Sequence, residues 1–203
     1  MTPERKDKFL SVLNKRQGNI TVVLENVMDP HNEAAVMRTC DSVGIQDIYI
    51  ITNRTSRKRE VGFRSGSGAK KWLTIHEFSD VNKCIQELRK TYKKILTTHL
   101  SSNAVSLYDI NFTESIALVF GNEWLGVSEE LVALSDGNFI IPQTGMIQSL
   151  NISVACAITI YEAYRQKESA GHYKQTSLPQ EKQTELLMKW GFKDEDFIEQ
   201  KEN

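Results

Sequence analysis

Residues 116–126 read Ile116-Ala117-Leu118-Val119-Phe120-Gly121-Asn122-Glu123-Trp124-Leu125-Gly126, and this stretch decides the fold class. Five apolar residues in succession leave no polar face, so the run predicts a strand buried on both sides, as strands of parallel sheets are. Short β-branched runs at residues 20–24, 47–51, 72–75, 95–98 and 138–141 repeat the pattern on either side of it. Helical spacing fills several of the intervals. Over residues 79–92, Val81, Cys84, Ile85 and Leu88 recur along one helix face, with Ser79 placed to cap it. Asp29-Pro30 opens a second helix over residues 31–43, which Gly44 can close in the left-handed conformation. A third is expected over residues 149–165, and arm helices over 3–15 and 179–190, with the polar stretch 166–177 as a linker. Strands alternating with helices define an α/β fold, a mainly parallel, doubly wound sheet flanked by helices. The 203 residues suffice for one sizeable core, so a single domain is expected over 1–203, with terminal arms at 1–18 and 168–203.

Composition narrows the function classes. The three cysteines, Cys40, Cys84 and Cys156, stand apart without CxxC or CxxH spacing, so neither a disulfide framework nor a metal site is expected. No run approaches the eighteen or so apolar residues of a membrane span, and the amino end lacks the apolar stretch of a signal peptide, which makes the cytoplasm the default. The formal net charge of −1 conceals an uneven distribution. Between residues 54 and 71 lie Arg54, Arg57, Lys58, Arg59, Arg64, Lys70 and Lys71 against one acid, Glu60, whereas residues 193–203 are mostly acidic. Guanidinium groups bind phosphate bidentately and stack on bases, and the interleaved Phe63 and Trp72 offer surfaces suited to unpaired RNA; a solvated charged loop is the other reading of this segment. Neither GxGxxG in its strand-helix context nor GxxxxGK[ST] occurs, which removes the main support for dinucleotide binding and for a nucleoside triphosphatase.

In an open α/β sheet the ligand crevice lies beyond the carboxyl ends of the strands, which directs attention to residues 99–103, 121–126 and 142–151. Glu123, between two glycines at a strand end, can orient a substrate hydroxyl or accept its proton, or it can be a helix-capping or solvated acid. Ser149 can face a ligand or be the N-cap of the helix that follows, and Asn151 can face a ligand or be a polar residue of that helix's first turn. Arg38 shares a helix face with His31, Ala34 and Ala35, where small neighbours leave room for a ligand, although an arginine there can equally snorkel to an ion pair. Spacing alone leaves these pairs of readings open.

Three segments in order bear on them. Asn32-Glu33-Ala34-Ala35-Val36-Met37-Arg38 resembles the NxxxxxR motif of the SpoU branch of the SPOUT methyltransferases. Val119-Phe120-Gly121-Asn122-Glu123-Trp124-Leu125-Gly126 is similar to that branch's FGxExxG segment, and the stretch from Ile140-Ile141-Pro142 through Ser149-Leu150-Asn151-Ile152-Ser153-Val154-Ala155 is similar to IPxxGxxxSLNVSVA. Thr97-Thr98-His99-Leu100-Ser101-Ser102-Asn103-Ala104-Val105 and Tyr161-Glu162-Ala163-Tyr164-Arg165-Gln166 resemble the members that methylate a guanosine ribose of tRNA. The resemblance covers nearly all of residues 2–190.

The resemblance implies an enzyme that methylates the ribose 2′-hydroxyl of the D-loop guanosine at tRNA position eighteen, with S-adenosylmethionine as methyl donor. It implies a carboxyl-terminal trefoil knot, which general chain rules would exclude, and a homodimer in which the neighbouring subunit completes each site. Carried over residue by residue, the catalytic set is Arg38, Asn32, Glu123, Ser149 and Asn151. The cofactor contacts are Thr98, Leu100, Gly121, Ile141, Met146 and Leu150. Arg54, Arg57, Arg59, Arg64 and Lys70 are the expected RNA contacts. A guanidinium stays protonated, so Arg38 is expected to clamp the adjacent phosphate rather than serve as base. Other readings are a relative acting on another tRNA position or on ribosomal RNA, and a non-catalytic RNA-binding relative.

Overall fold

The computed structural model describes residues 1–53 and 68–198. Seven parallel strands form one sheet: β1 (Ile20–Glu25), β2 (Asp47–Ile51), β3 (Thr74–Phe78), β4 (Lys94–Thr98), β5 (Val105–Ser106), β6 (Ile116–Phe120) and β7 (Gly137–Ile140). Their order across the sheet is β3-β2-β1-β6-β4-β7-β5. After three strands laid outward in sequence, β6 enters between β1 and β4, and β7 between β4 and β5. Seven helices accompany them among the described residues: α1 (Pro3–Leu13), α2 (Pro30–Ser42), α3 (Val81–Leu88), α4 (Glu129–Leu134), α5 (Ile152–Ser169), α6 (Gln180–Trp190) and α7 (Asp194–Ile198).

The strands are apolar on both faces because both faces are covered. Val22, Leu24, Ile116, Leu118 and Phe120 pack with Val36, Met37 and Cys40 of α2 and Cys156, Ile160 and Ala163 of α5. Val23, Tyr49, Ala117 and Val119 point the other way, against Val81, Cys84, Ile85 and Leu88 of α3 and Leu131 of α4. Alternation along each strand thus feeds two cores with one sheet. None of the described helices is long and apolar enough to cross a membrane.

The local rules account for most helix ends, with three corrections. Asp80, not Ser79, caps α3, its carboxylate accepting the Lys83 amide at 2.8 Å. Asn151, not Ser149, caps α5, which runs on to Ser169, so the expected linker over 166–177 begins inside a helix. The third strand starts at Thr74; Trp72 instead closes a 3-10 turn over Gly68–Trp72. The short β5 and α4 were not expected from the pattern.

Trp72 also corrects the expectation that its ring serves RNA stacking. It lies 5.5 Å from the Phe9 ring and 5.9 Å, edge-on, from Trp190, in a third cluster with Leu13, Leu186, Leu187 and Phe192. This cluster binds both arms to each other and to the root of β3. A half-buried ion pair fastens the carboxyl-terminal arm to the sheet: Lys182 of α6 donates to both Asp47 oxygens at 2.6 Å, and His76 Nε2 lies 2.8 Å from Oδ1.

Burial works against ionising Asp47, but the His76 ring and the Lys182 ammonium overcome it and hold the carboxyl below its ordinary pKa. Because the folded pKa is the lower one, the pair stabilises fully above the unfolded value of roughly 3.9, and that stability is lost as acid carries the folded carboxyl through its own pKa. Asp47→Asn is therefore expected to lower the melting temperature at neutral pH, where Lys182 loses its counter-charge. The gap to wild type should close as pH falls from about 4 towards 2, which a set of melting curves across that range checks.

Candidate active site

The carboxyl edges of β1, β6, β4 and β7 adjoin, and the amino ends of α2 and α5 open onto the same edge. Here the loop after β6 folds back on itself. The Gly121 chain is crossed so closely that a Cβ there would lie 2.2 Å from the Gly126 carbonyl carbon and the Val127 nitrogen, and Gly126 takes φ 68°. Only glycine fits at the first position, and a left-handed turn favours it at the second. Asn122 and Gly126 exchange backbone hydrogen bonds of 3.0 and 2.8 Å, so Glu123, Trp124 and Leu125 form a tight tip.

Three side chains from three elements meet at this tip. Asn151 Oδ1 accepts the Ser153 amide at 2.9 Å as the cap of α5, while its Nδ2 donates to Asn32 Oδ1 at 3.1 Å. Asn32 Nδ2, in the first turn of α2, donates in turn to Glu123 Oε1 at 2.9 Å. The chain of amides ends on a carboxylate, which fixes the orientation of all three groups and biases each amide towards donating in one direction. Such a row can hold the hydroxyls and phosphate oxygens of a ribose and can accept a proton at its acidic end.

The other expected residues are placed by their elements. Arg38 is exposed, on the face of α2 with His31, Ala35 and Ser42, roughly 9 Å of helix axis beyond Asn32. Ala34, expected on that face, is instead buried in the core. Ser149 is exposed in the loop before α5 and takes no part in the three-residue chain. Thr98 ends β4 and donates to the Val119 carbonyl at 3.1 Å, while Gly121 follows β6 and Ile141 follows β7. Leu100 is 83% exposed, Ile147 64% and Met146 fully so, and Leu150 is partly buried beside them. Apolar side chains held in water beyond two neighbouring strands, β4 and β7, are what an apolar ligand surface would present.

Of the expected RNA contacts, Lys70 is exposed in the 3-10 turn after the basic segment, whereas Arg54, Arg57, Arg59 and Arg64 lie outside the described residues. Sequence reasoning missed Asn26, Asn122 and Asn138. Asn138 accepts from Thr97 at 2.5 Å and donates to Ser101 at 3.2 Å, tying β7, β4 and the loop after β4 together. Asparagines at strand ends were the available signal, but their partners are distant in sequence. Among the described residues no three His, Cys, Asp or Glu side chains gather as metal ligands. A separate cavity of 390 Å³ opens at the far end of α2 and α5, lined by Lys15, Asp41, Gly44, Tyr164 and Tyr173. Part of its wall is already engaged, Asp41 by Arg16 and the Tyr173 hydroxyl by the Val43 carbonyl.

The model of the SpoU rRNA Methylase family matches residues 19–161. The tRNA (guanosine(18)-2′-O)-methyltransferase of Escherichia coli K12 is 36% identical over 95% of this chain and 84% of its own length. Among solved structures, the TrmH/SpoU tRNA modifying enzyme of A. aeolicus superposes with a TM-score of 0.80 at 36% identity, over 92% of this chain and 94% of that one. The AdoMet-bound rRNA methyltransferase of Sinorhizobium meliloti superposes with a TM-score of 0.65 at 27% identity, over 77% of this chain and 59% of that one. A parallel α/β sheet with its polar site among the loops at the carboxyl edge is here the frame of a methyltransferase. The chain belongs to the SpoU methylase family.

Proposed function

We propose that this chain transfers the methyl group of S-adenosylmethionine to the 2′-oxygen of guanosine eighteen in the D-loop of tRNA. The observation that carries the reading is the Asn151-Asn32-Glu123 chain, which links the two motif-bearing helices to the loop after β6 at the sheet's carboxyl edge. The E. coli relative, matching over almost the whole chain, supplies the substrate and the position.

The residues present fit the methyl donor. Leu100 after β4 and Met146 and Ile147 after β7 offer apolar surface beyond two adjoining strands, and the bare backbone of Gly121 follows β6, on the other side of β4. Thr98, Leu100, Gly121, Ile141, Met146 and Leu150 would hold the adenosine and the sulfonium arm, largely by backbone and apolar contact. When bound, S-adenosylmethionine supplies an electrophilic methyl group. The chain's own work is on the acceptor. Asn32, Ser149 and Asn151 orient the ribose, and the fork-shaped guanidinium of Arg38 clamps the neighbouring phosphate and favours loss of the hydroxyl proton. Glu123 takes that proton, directly or through a water, at its carboxylate.

Two features support the remaining parts of the reading. The entry of β6 and β7 between strands already laid down is the order a threaded, knotted chain needs. Val154, Ile158 and Tyr161 form a half-exposed apolar stripe along α5, beside α2, suited to a second copy of the chain that completes each site. The basic residues Arg54, Arg57, Arg59, Arg64 and Lys70 contact the tRNA backbone, so affinity falls steeply with salt. One domain carries the whole function, working on tRNA in the cytoplasm.

Labelled S-adenosylmethionine incubated with unmodified tRNA, followed by digestion to nucleosides, tests the proposal. The label is expected in 2′-O-methylguanosine; label in a base-methylated nucleoside would overturn it.

A further inference from the structure

Asn122 fills a position that the motif reading left unassigned, yet its side chain makes more contacts than that of Glu123 beside it. Its Oδ1 accepts the Trp124 amide at 2.9 Å and the Leu125 amide at 3.1 Å, closing a side-chain turn over the residue between. Its Nδ2 donates at 2.8 Å to the carbonyl of Asn26, just past the end of β1. Asn26 stands in the left-handed conformation at φ 52°, which is uncommon for a residue with a side chain. It is held there by a reciprocal pair with Asn53: Asn26 Nδ2 donates to Asn53 Oδ1 at 2.8 Å, and the Asn53 amide returns to Asn26 Oδ1 at 3.2 Å. A strut thus runs from the end of β2 through the end of β1 to the loop after β6. The loop carries Glu123 to Asn32, across 91 positions of sequence.

From this geometry we infer that Asn122 is a positioning residue for the reaction, setting the Glu123 carboxylate against Asn32 through the turn it closes and the strut it makes to Asn26. The inference rests on the methyl-transfer reading of Glu123. Asn122 touches no reacting atom. Its loss leaves the tip free to move relative to α2, and misplacement of a reacting group by an ångström can cost about 10²-fold in rate.

The test is a double-mutant cycle on the methyl-transfer rate at saturating tRNA and S-adenosylmethionine. Asn122→Ala is expected to lower kcat by about 10- to 100-fold, with the KM for tRNA within about threefold, because the RNA contacts lie elsewhere. In a Glu123→Gln background the same change is expected to cost less than about twofold, since the two residues act as one unit. An alanine variant with wild-type kcat, or a cost that multiplies undiminished in the double variant, overturns the inference. If alanine at this position prevents folding, Asn122→Ser, which keeps an acceptor for the Trp124 amide, runs the same cycle with a smaller expected loss. A wild-type chain that transfers no methyl to tRNA would instead sink the reading of the site itself.

Discussion

Replacing Arg38 by alanine is expected to lower kcat/KM for methyl transfer to tRNA by roughly 10²- to 10³-fold, the cost of removing one preorganised charge from a developing oxyanion. A ribose hydroxyl is a poor nucleophile, and fixed charge and hydrogen bonding at the site can loosen its proton. Arg38 is exposed on α2, so its truncation should leave the melting temperature nearly unchanged. Arg38→Lys separates two accounts of the same residue. If the planar fork gripping two phosphate oxygens matters, lysine recovers less than about a tenth of the lost activity, because an ammonium is a point charge. A lysine variant with most of the wild-type rate and a displaced pH profile would show that charge alone suffices.

The second large effect is expected at Asn151, where stability and activity can be pulled apart. Its Oδ1 caps the 18 residues of α5, and its Nδ2 holds Asn32. Alanine removes both and should cost about 1 kcal/mol of stability together with most of the activity. Aspartate caps a helix as well as asparagine does, but it donates nothing to Asn32 and adds a charge near Glu123. Asn151→Asp is thus expected to melt close to wild type while kcat falls by about 10²-fold, in line with the loss of one orienting group. Equal rates for wild type and the aspartate variant would mean that Asn151 serves the helix alone.

These effects were not equally legible in the sequence. The unbroken apolar run at 116–120 predicted a strand covered on both sides, and β6 is fully buried in the middle of the sheet. The Asp29-Pro30 start and Gly44 stop of α2 followed from capping chemistry that acts over a few residues. Capping chemistry alone does not choose between adjacent candidates. Ser79 and Asp80 are neighbours with similar capping ability, as Ser149 and Asn151 nearly are, and the choice falls to tertiary contacts that local pattern does not record. Trp72 looked like a stacking surface because it adjoins a basic segment; its real partners, Phe9 and Trp190, come from the two ends of the chain.

The site divides in the same way. Motifs supplied Asn32, Glu123 and Asn151 as separate candidates, and only the fold brings them within hydrogen-bonding distance of one another. The only local mark on Asn26 and Asn122 is their place at strand ends, and their contacts span 27 and 96 positions of sequence. The sheet order was similarly hidden, because strands apolar on both faces pair equally well with any neighbour.

The most direct test of the central claim uses a tRNA with one oxygen removed. A transcript assembled with 2′-deoxyguanosine at position eighteen lacks the proposed acceptor but keeps the base, the phosphates and the fold of the D-loop. Incubated with labelled S-adenosylmethionine beside its all-ribose counterpart, it is expected to take up no methyl, while the counterpart takes up one per molecule. Equal labelling of the two would contradict the account, because the methyl group would then be going to another atom.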